Sequence, residues 1–208
     1  MAQAFAGPLC RWYATPDREP LQLRRGVEAW RADLRAAVAE KVGQQLVWDE
    51  GADVAFTVEL GEAGWMALRL FAFYCERTEL ELPDTVPPLL EFDAEWRAAA
   101  DRSFVTSRYG QLLACRVWLP GDFPVTFKAP LPDGDSAEIG SLQVLADQMK
   151  WLNQRTFQAD AGEVERWLGC AAPAGGDLLT AARRGYAGLA AAIVMAQRHQ
   201  LPVVVREA

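Results

Sequence analysis

"WMALRLFAFYC", Trp65–Cys75, decides how the middle of this chain is assembled. It is apolar almost all round, so neither a period of two nor one of 3.6 stands out. Its aromatic residues favour a central strand buried on both faces, while its length also suits a buried helix. The strand reading is preferred. Just upstream, "DVAFTVEL" is a clearer strand, in which Val54, Phe56, Val58 and Leu60 alternate onto one face.

Working outward towards the N-terminus, "LCRWYA" (Leu9–Ala14) reads as a short first strand that "TPDREP" breaks. From Leu21 the period changes. Val27, Trp30, Leu34, Val38 and Val42 recur at three- and four-residue steps, Arg24, Glu28, Arg31 and Arg35 form a second stripe, and Gly43 supplies a helix stop.

Towards the C-terminus, Pro83, Pro87 and Pro88 mark an extended connector from Glu79 to Leu90. "FDAEWRAAADR" is a helix with Asp93 as N-cap. Gln111–Leu119 and Val125–Lys128 read as two strands, and the "PGD" between them predicts a hairpin. "PDGDSAE" (Pro132–Glu138) is a strand-to-helix corner with Gly134 at positive φ. Ser141 then caps a helix carrying Leu142, Leu145, Met149 and Leu152 on one face. "DAGEVERWLG" is a short helix closed by Gly169, "AAPAGG" (Ala171–Gly176) a loop, and Asp177 the cap of a last helix. Gly185 and Gly188 in that helix let another element approach its backbone. "PVVVRE" closes the chain as a strand. Strands come in adjacent runs rather than alternating with helices, so the predicted fold is α+β: one globular domain over residues 1–208, with a mixed, mainly antiparallel sheet packed against several helices and closed by a C-terminal strand.

The chain has 208 residues and a formal net charge of -7, with 51% hydrophobic and 24% charged residues. That is enough to bury a core without metals or disulfides. The negative balance argues against a nucleic-acid footprint, which needs clustered Lys and Arg. Lysine is rare (Lys41, Lys128, Lys150) and arginine supplies the rest, which we read as the codon bias of a GC-rich bacterial genome. Cys10, Cys75, Cys115 and Cys170 form no C-x-x-C pair, and "MAQAFAGPLCRWY" has no leader pattern, so a reducing cytoplasmic setting is expected. "GYAGLAAAIVMA" (Gly185–Ala196) is too short to cross a bilayer, and no membrane role is expected.

Several chemistries fall away. The single histidine, His199, sits where it favours a helix C-terminus, and it rules out a multi-histidine metal site. No G-x-x-x-x-G-K-[ST], G-x-S-x-G, H-E-x-x-H or G-x-G-x-x-G pattern occurs. "PDGDSAE" fails the EF-hand pattern from either aspartate: from Asp133 the fifth, sixth and twelfth positions are Ala137, Glu138 and Val144. No metal and no cofactor are expected. Glu76, Glu79, Glu81 and Asp84 read as a solvated acidic face.

What remains is a short set of candidates. Arg69 and Arg116 interrupt apolar runs, which makes each a ligand contact or half of an ion pair with a nearby carboxylate. The eight tryptophans are mostly core; Trp151 and Trp167, with Lys150 beside the first, are the candidate interface. The preferred functional reading is a non-enzymatic domain that binds another protein, in an inhibitor, immunity-type or adaptor role. The alternative is an enzyme or small-ligand binder with a cleft of scattered carboxylates and arginines. Self-association into a structural protein is the third. A concave site around Arg69 or Arg116 with an unsatisfied polar group would favour the second, and a flat patch of exposed tryptophan the first.

Overall fold

The structure, a computed structural model, describes residues 2–14, 19–43, 45–61, 63–170 and 177–206. The strands are β1 Ala2–Ala6, β2 Phe56–Gly61, β3 Val117–Leu119, β4 Phe127–Pro130, β5 Ser136–Ser141 and β6 Val203–Arg206. They form one open sheet in the order β2-β1-β6-β3-β5-β4, antiparallel throughout except for the parallel β3–β5 pair. The closing strand therefore lies inside the sheet, between β1 and β3. The helices are α1 Leu9–Trp12, α2 Pro20–Val42, α3 Gly64–Cys75, α4 Ala94–Ala100, α5 Gly110–Ala114, α6 Leu142–Arg155, α7 Ala161–Gly169 and α8 Leu178–His199. The mixed, mostly antiparallel sheet packed with helices is the α+β fold expected.

Alternation along the strands divides the core into two apolar layers. Ala2, Ala4, Ala6, Leu60, Trp118, Val203 and Val205 join α3, α5, α6 and α8 on one face. Val117, Leu119, Phe127, Ala129, Ile139 and Val204 join α1 and α2 on the other. The alanines of β1 leave room for α8, which crosses β1 and β2 closely enough that a Cβ at Gly188 would meet the Leu60 side chain at 2.7 Å. At the crossing of α3 and α8, backbone meets backbone. A Cβ at Gly185 would lie 2.6 Å from the Gly64 carbonyl carbon.

Five local expectations are corrected. Trp65–Cys75 is helical, within α3, because both its sides are covered by helices and loops: Gly64 by Gly185 of α8, and Phe73 by Trp96 and Phe104. The first strand is "AQAFA", not "LCRWYA". Leu9–Trp12 is a helical turn whose leading N–H groups, those of Leu9 and Cys10, donate to the buried carboxylate of Glu50 at 3.1 and 2.8 Å. The segment Gln111–Leu119 splits into α5 and β3. Its helical start is held by Glu76, which accepts from Ser107 Oγ and the backbone N–H groups of Arg108 and Tyr109.

The "PGD" hairpin does not form. The Gly121 carbonyl accepts from Ser141 Oγ and Gln143 N–H, which carries the chain past β3, and β5 fills the place beside it. The Pro132–Asp135 corner accordingly joins two strands, β4 and β5, rather than a strand and a helix. The helix after Ser141, the helices capped by Asp93 and Asp177, the α2 stripe over Val27, Trp30, Leu34 and Val38 and the Gly43 stop (φ 67°) form as expected, while the Val42 side chain lies outside what is described. The loop read at Ala171–Gly176 lies outside the described residues. Among the described residues, no helix is long and apolar enough to cross a membrane.

Candidate functional site

The sheet topology brings four chain ends to one place. β3 starts, β5 starts, β4 ends and β6 ends on the same side, because β3 runs parallel to β5 and antiparallel to β6. The end of α1 closes over them. Between these pieces lies a cleft of about 300 Å³ lined by Trp12, Tyr13, Arg116, Asp133, Asp135 and Arg206 among others.

Each wall has a local cause. Asp133 and Asp135 project from the β4–β5 turn. Gly134 takes φ 94° there, Asp133 Oδ1 accepts from Asp135 N–H at 3.1 Å, and Leu131 N–H donates to the Asp135 carbonyl at 2.6 Å. Arg116 is fixed between two strands, its N–H donating to the Glu138 carbonyl and its carbonyl accepting from Val205 N–H. Arg206 continues β6 on the face of Val204, with its guanidinium 6.0 Å from the centre of the Trp12 ring, and that ring in turn packs on Phe5 at 5.2 Å.

Tyr13 is the unusual member. Its side chain is only 8% exposed and its hydroxyl is buried with no hydrogen-bond partner. Its ring also borders a second hollow of about 250 Å³ against Leu23, Gly26 and Val27 of α2. Burial pushes the phenol well above its ordinary pKa, Asp133 adds to that, and Arg206 opposes it. The hydroxyl therefore senses the charged groups of the cleft. A buried polar group without a partner costs about 1–3 kcal/mol, so such groups are few in native proteins.

The residues singled out from sequence fall in different places. Arg116 lines this cleft; Arg69 does not. Arg69 lies against the rings of Trp65 and Trp96 and donates through Nε and Nη2 to the Leu113 carbonyl at the end of α5. Neither guanidinium is without a partner. Lys150 is exposed on a groove between α6 and α8 of about 420 Å³. Trp151, 38% exposed, is bracketed by Arg108 and Arg155 at 4.9 and 5.8 Å. Trp167 is half-buried against Phe157, Tyr186 and Arg183. Tyr186 also borders the Lys150 groove, so Lys150 and Trp167 both lie near that ring.

Sequence reasoning missed Tyr13, which it placed in a strand, and Arg206, which it passed over. The signal for Arg206 is a charge directly after "VVV". Asp133 and Asp135 are exposed, as a surface corner should be, and only the strand pairing brings that corner to the rim of the cleft that Arg206 also lines.

Three of the thiols, Cys10, Cys75 and Cys115, are poorly suited to attack. Burial, before all, pushes Cys75 up to about 12 and Cys10 to about 11, the second helped by its bond to Glu50, and raises Cys115 further still. A nucleophilic cysteine needs the opposite shift. Among the described residues, no group of three or more His, Cys, Asp and Glu is placed to hold a metal ion. Comparison with protein-family models, with curated proteins and with solved structures returned no match.

Proposed function

We propose that this protein binds a small polar molecule in the cleft beside Tyr13, and that it works by binding rather than by nucleophilic catalysis. One observation carries the reading: a nearly buried phenol lacks a hydrogen-bond partner at the wall of a concave, charged site. A bound molecule that accepts from this hydroxyl removes the penalty of leaving it unsatisfied. The size supports the same class. A hollow of about 300 Å³ is at the small end of ligand sites and suits a metabolite better than a peptide or a nucleotide cofactor.

A second reading, docking to another protein, is favoured by a different surface. From Thr78 to Trp96 the chain carries Glu79, Glu81, Asp84, Glu91, Asp93 and Glu95 and no basic residue. Within that acidic stretch, Leu89 is 52% exposed and Phe92 68%. Acid interleaved with exposed apolar side chains complements a basic, amphipathic partner.

Thermal unfolding in the presence of a panel of small carboxylates, amines, amino acids, sugars and inorganic phosphate discriminates the two. The cleft reading expects a saturable rise in Tm with at least one of them, since a ligand that binds only the folded state stabilises it. A flat response across the panel at 10 mM (about the weakest affinity of interest) overturns it in favour of docking.

A further inference from the structure

The open sheet ends in two edge strands, β2 and β4. An edge presents unpaired N–H and C=O groups, so it is either closed off or a template for another strand. The ladder bonds tell which groups face outward. Gly7 N–H donates to the Pro202 carbonyl in the β1–β6 register, so Gln3 and Phe5 bond to β6, and Ala4 and Ala6 bond to β2. Opposite Ala4 and Ala6 stand Val58 and Phe56. The backbone groups of Thr57 and Glu59 therefore point away from the sheet. At the other edge, Leu131 N–H donates to the Asp135 carbonyl in the β4–β5 register. That turns Phe127 and Ala129 towards β5 and leaves Lys128 and Pro130 outward.

The two edges are not alike. Pro130 has no N–H to offer, and its carbonyl already accepts from Trp30 Nε1 at 2.7 Å, so a proline and a side chain of α2 close β4. β2 has neither proline nor lysine. Thr57 and Glu59 are exposed, and among the described residues nothing bonds to their outward N–H and C=O groups. Phe56 and Val58, on the helix-covered face, are left half-buried where the sheet stops.

We infer that β2 pairs with the β2 of a second copy of this chain, antiparallel about a twofold axis at Val58, to give a dimer with one continuous sheet. This is independent of the cleft, which no residue of β2 lines. The occupant follows from the strand itself, which is complementary to its own copy. In that register Thr57 and the partner's Glu59 exchange both ladder bonds, since each has its backbone groups outward. Val58 meets the partner's Val58, and Phe56 meets the partner's Leu60, so apolar faces apolar beside α8, and a hydroxyl faces a carboxylate on the other side. An axis at Glu59 would set that carboxylate against itself, an arrangement that costs stability. An axis at Thr57 would carry Leu60 beyond the strand to the partner's Val54 and pair only Phe56–Val58. The Val58 axis pairs the whole run Phe56–Leu60. It also ends the assembly at two copies. The joined sheet has a β4 at each end, and both are closed by Pro130 and Trp30.

Sedimentation equilibrium of the full chain, from about 1 µM to about 1 mM, reads the assembly. The expected result is a reversible dimer and nothing larger, with a Tm that rises with concentration. Substitutions at the exposed Thr57 tie the dimer to this edge. Thr57→Glu sets carboxylates opposite each other across the joint and should weaken the dimer about tenfold, while Thr57→Lys sets an ammonium against the partner's Glu59 and should tighten it by a similar factor. Thr57→Pro removes an outward donor that β1 does not use, and should leave a monomer throughout the range. Circular dichroism checks that this variant folds. If it does not, the two charged variants carry the test, because neither alters a buried position. In the wild type, the outward amides of Thr57 and Glu59 should exchange more slowly as concentration rises, and those of Phe56 and Val58, already bonded to β1, should change little.

A wild type that stays monomeric to the top of the range overturns the inference. A dimer that Thr57→Glu and Thr57→Lys leave equally tight has its contact elsewhere and overturns it too. Growth beyond a dimer contradicts the closed β4 edge and overturns the twofold arrangement.

Discussion

At the scale of single residues, this protein hides reactive or polar groups and settles most of them with partners. Glu50 is 4% exposed yet receives the N–H groups of Leu9 and Cys10 and the indole N–H of Trp48, so a buried carboxylate holds the α1 turn in place. Tyr74 donates to Asp93 at 2.7 Å while Asp93 caps α4, which ties α3 to the next helix. The Tyr13 hydroxyl is left over, as are the buried Trp65 Nε1, Trp118 Nε1 and Arg183 Nε, and of these Tyr13 is the one beside the cleft. The thiols give a residue-scale prediction with a definite sign. Cys10 and Cys75 are raised in the folded state to about 11 and 12, so folding favours their neutral form. Their contribution is complete below the ordinary thiol pKa of about 8.5 and is lost as pH climbs towards 12, because the unfolded chain sheds those protons first. Urea denaturation at pH 8 and at pH 10.5 should show lower stability at the higher pH, with a smaller loss in Cys75→Ala. Equal stability of the wild type at the two values would contradict the burial of these groups.

At the scale of elements, local pattern succeeded where one face of a segment is wet. The α2 stripe, the caps at Asp93, Ser141 and Asp177, and the alternation of β2 were all legible because solvent on one side forces a period into the sequence. It failed where an element is covered on every side. α3 has no wet face to mark its period, and its aromatic content pointed the wrong way. The α5–β3 segment changes conformation at Cys115, where no turn residue announces the change, because Glu76 supplies the helix start from a distance. The two glycines at the α3–α8 crossing make a sharp element-scale prediction. Gly185→Ala drives a methyl into the Gly64 backbone and should cost about 3 kcal/mol or more, an overpacking penalty without a flexible side chain to yield. Gly26→Ala, on an α2 face where a Cβ meets nothing within 4 Å, should instead stabilise by about 0.5–1 kcal/mol through helix propensity. Chemical denaturation of both variants reads the pair, and similar effects from the two would rule out the close crossing.

At the scale of the whole molecule, the N-terminal and C-terminal strands are neighbours at the centre of the sheet: Ala4 pairs with Val205, and Val203 and Val204 pair onward with β3. The sheet therefore cannot complete until the most distant parts of the chain meet, a topology that slows folding. Hydrogen exchange followed by mass spectrometry should find the β6 amides of Val203–Val205 among the slowest. Those of β4 and β2, at the two edges, should exchange faster. Slower exchange in β4 than in β6 would contradict the strand order. The candidate site exists only at this scale, since Tyr13, Arg116, Asp133, Asp135 and Arg206 come from four separate segments.

The sequence by itself determined the α+β class, the caps and stripes of the wet-faced elements, the closing strand and the absence of several catalytic patterns, because each is written in neighbouring residues. Only the tertiary structure decided that Trp65–Cys75 is a helix, that β5 and not a hairpin partner lies beside β3, and that the β4–β5 turn and the end of β6 border one cleft beside a buried phenol. Those outcomes depend on what covers a segment and on which strand ends coincide. Such contacts join residues far apart in the chain, and no local period records them.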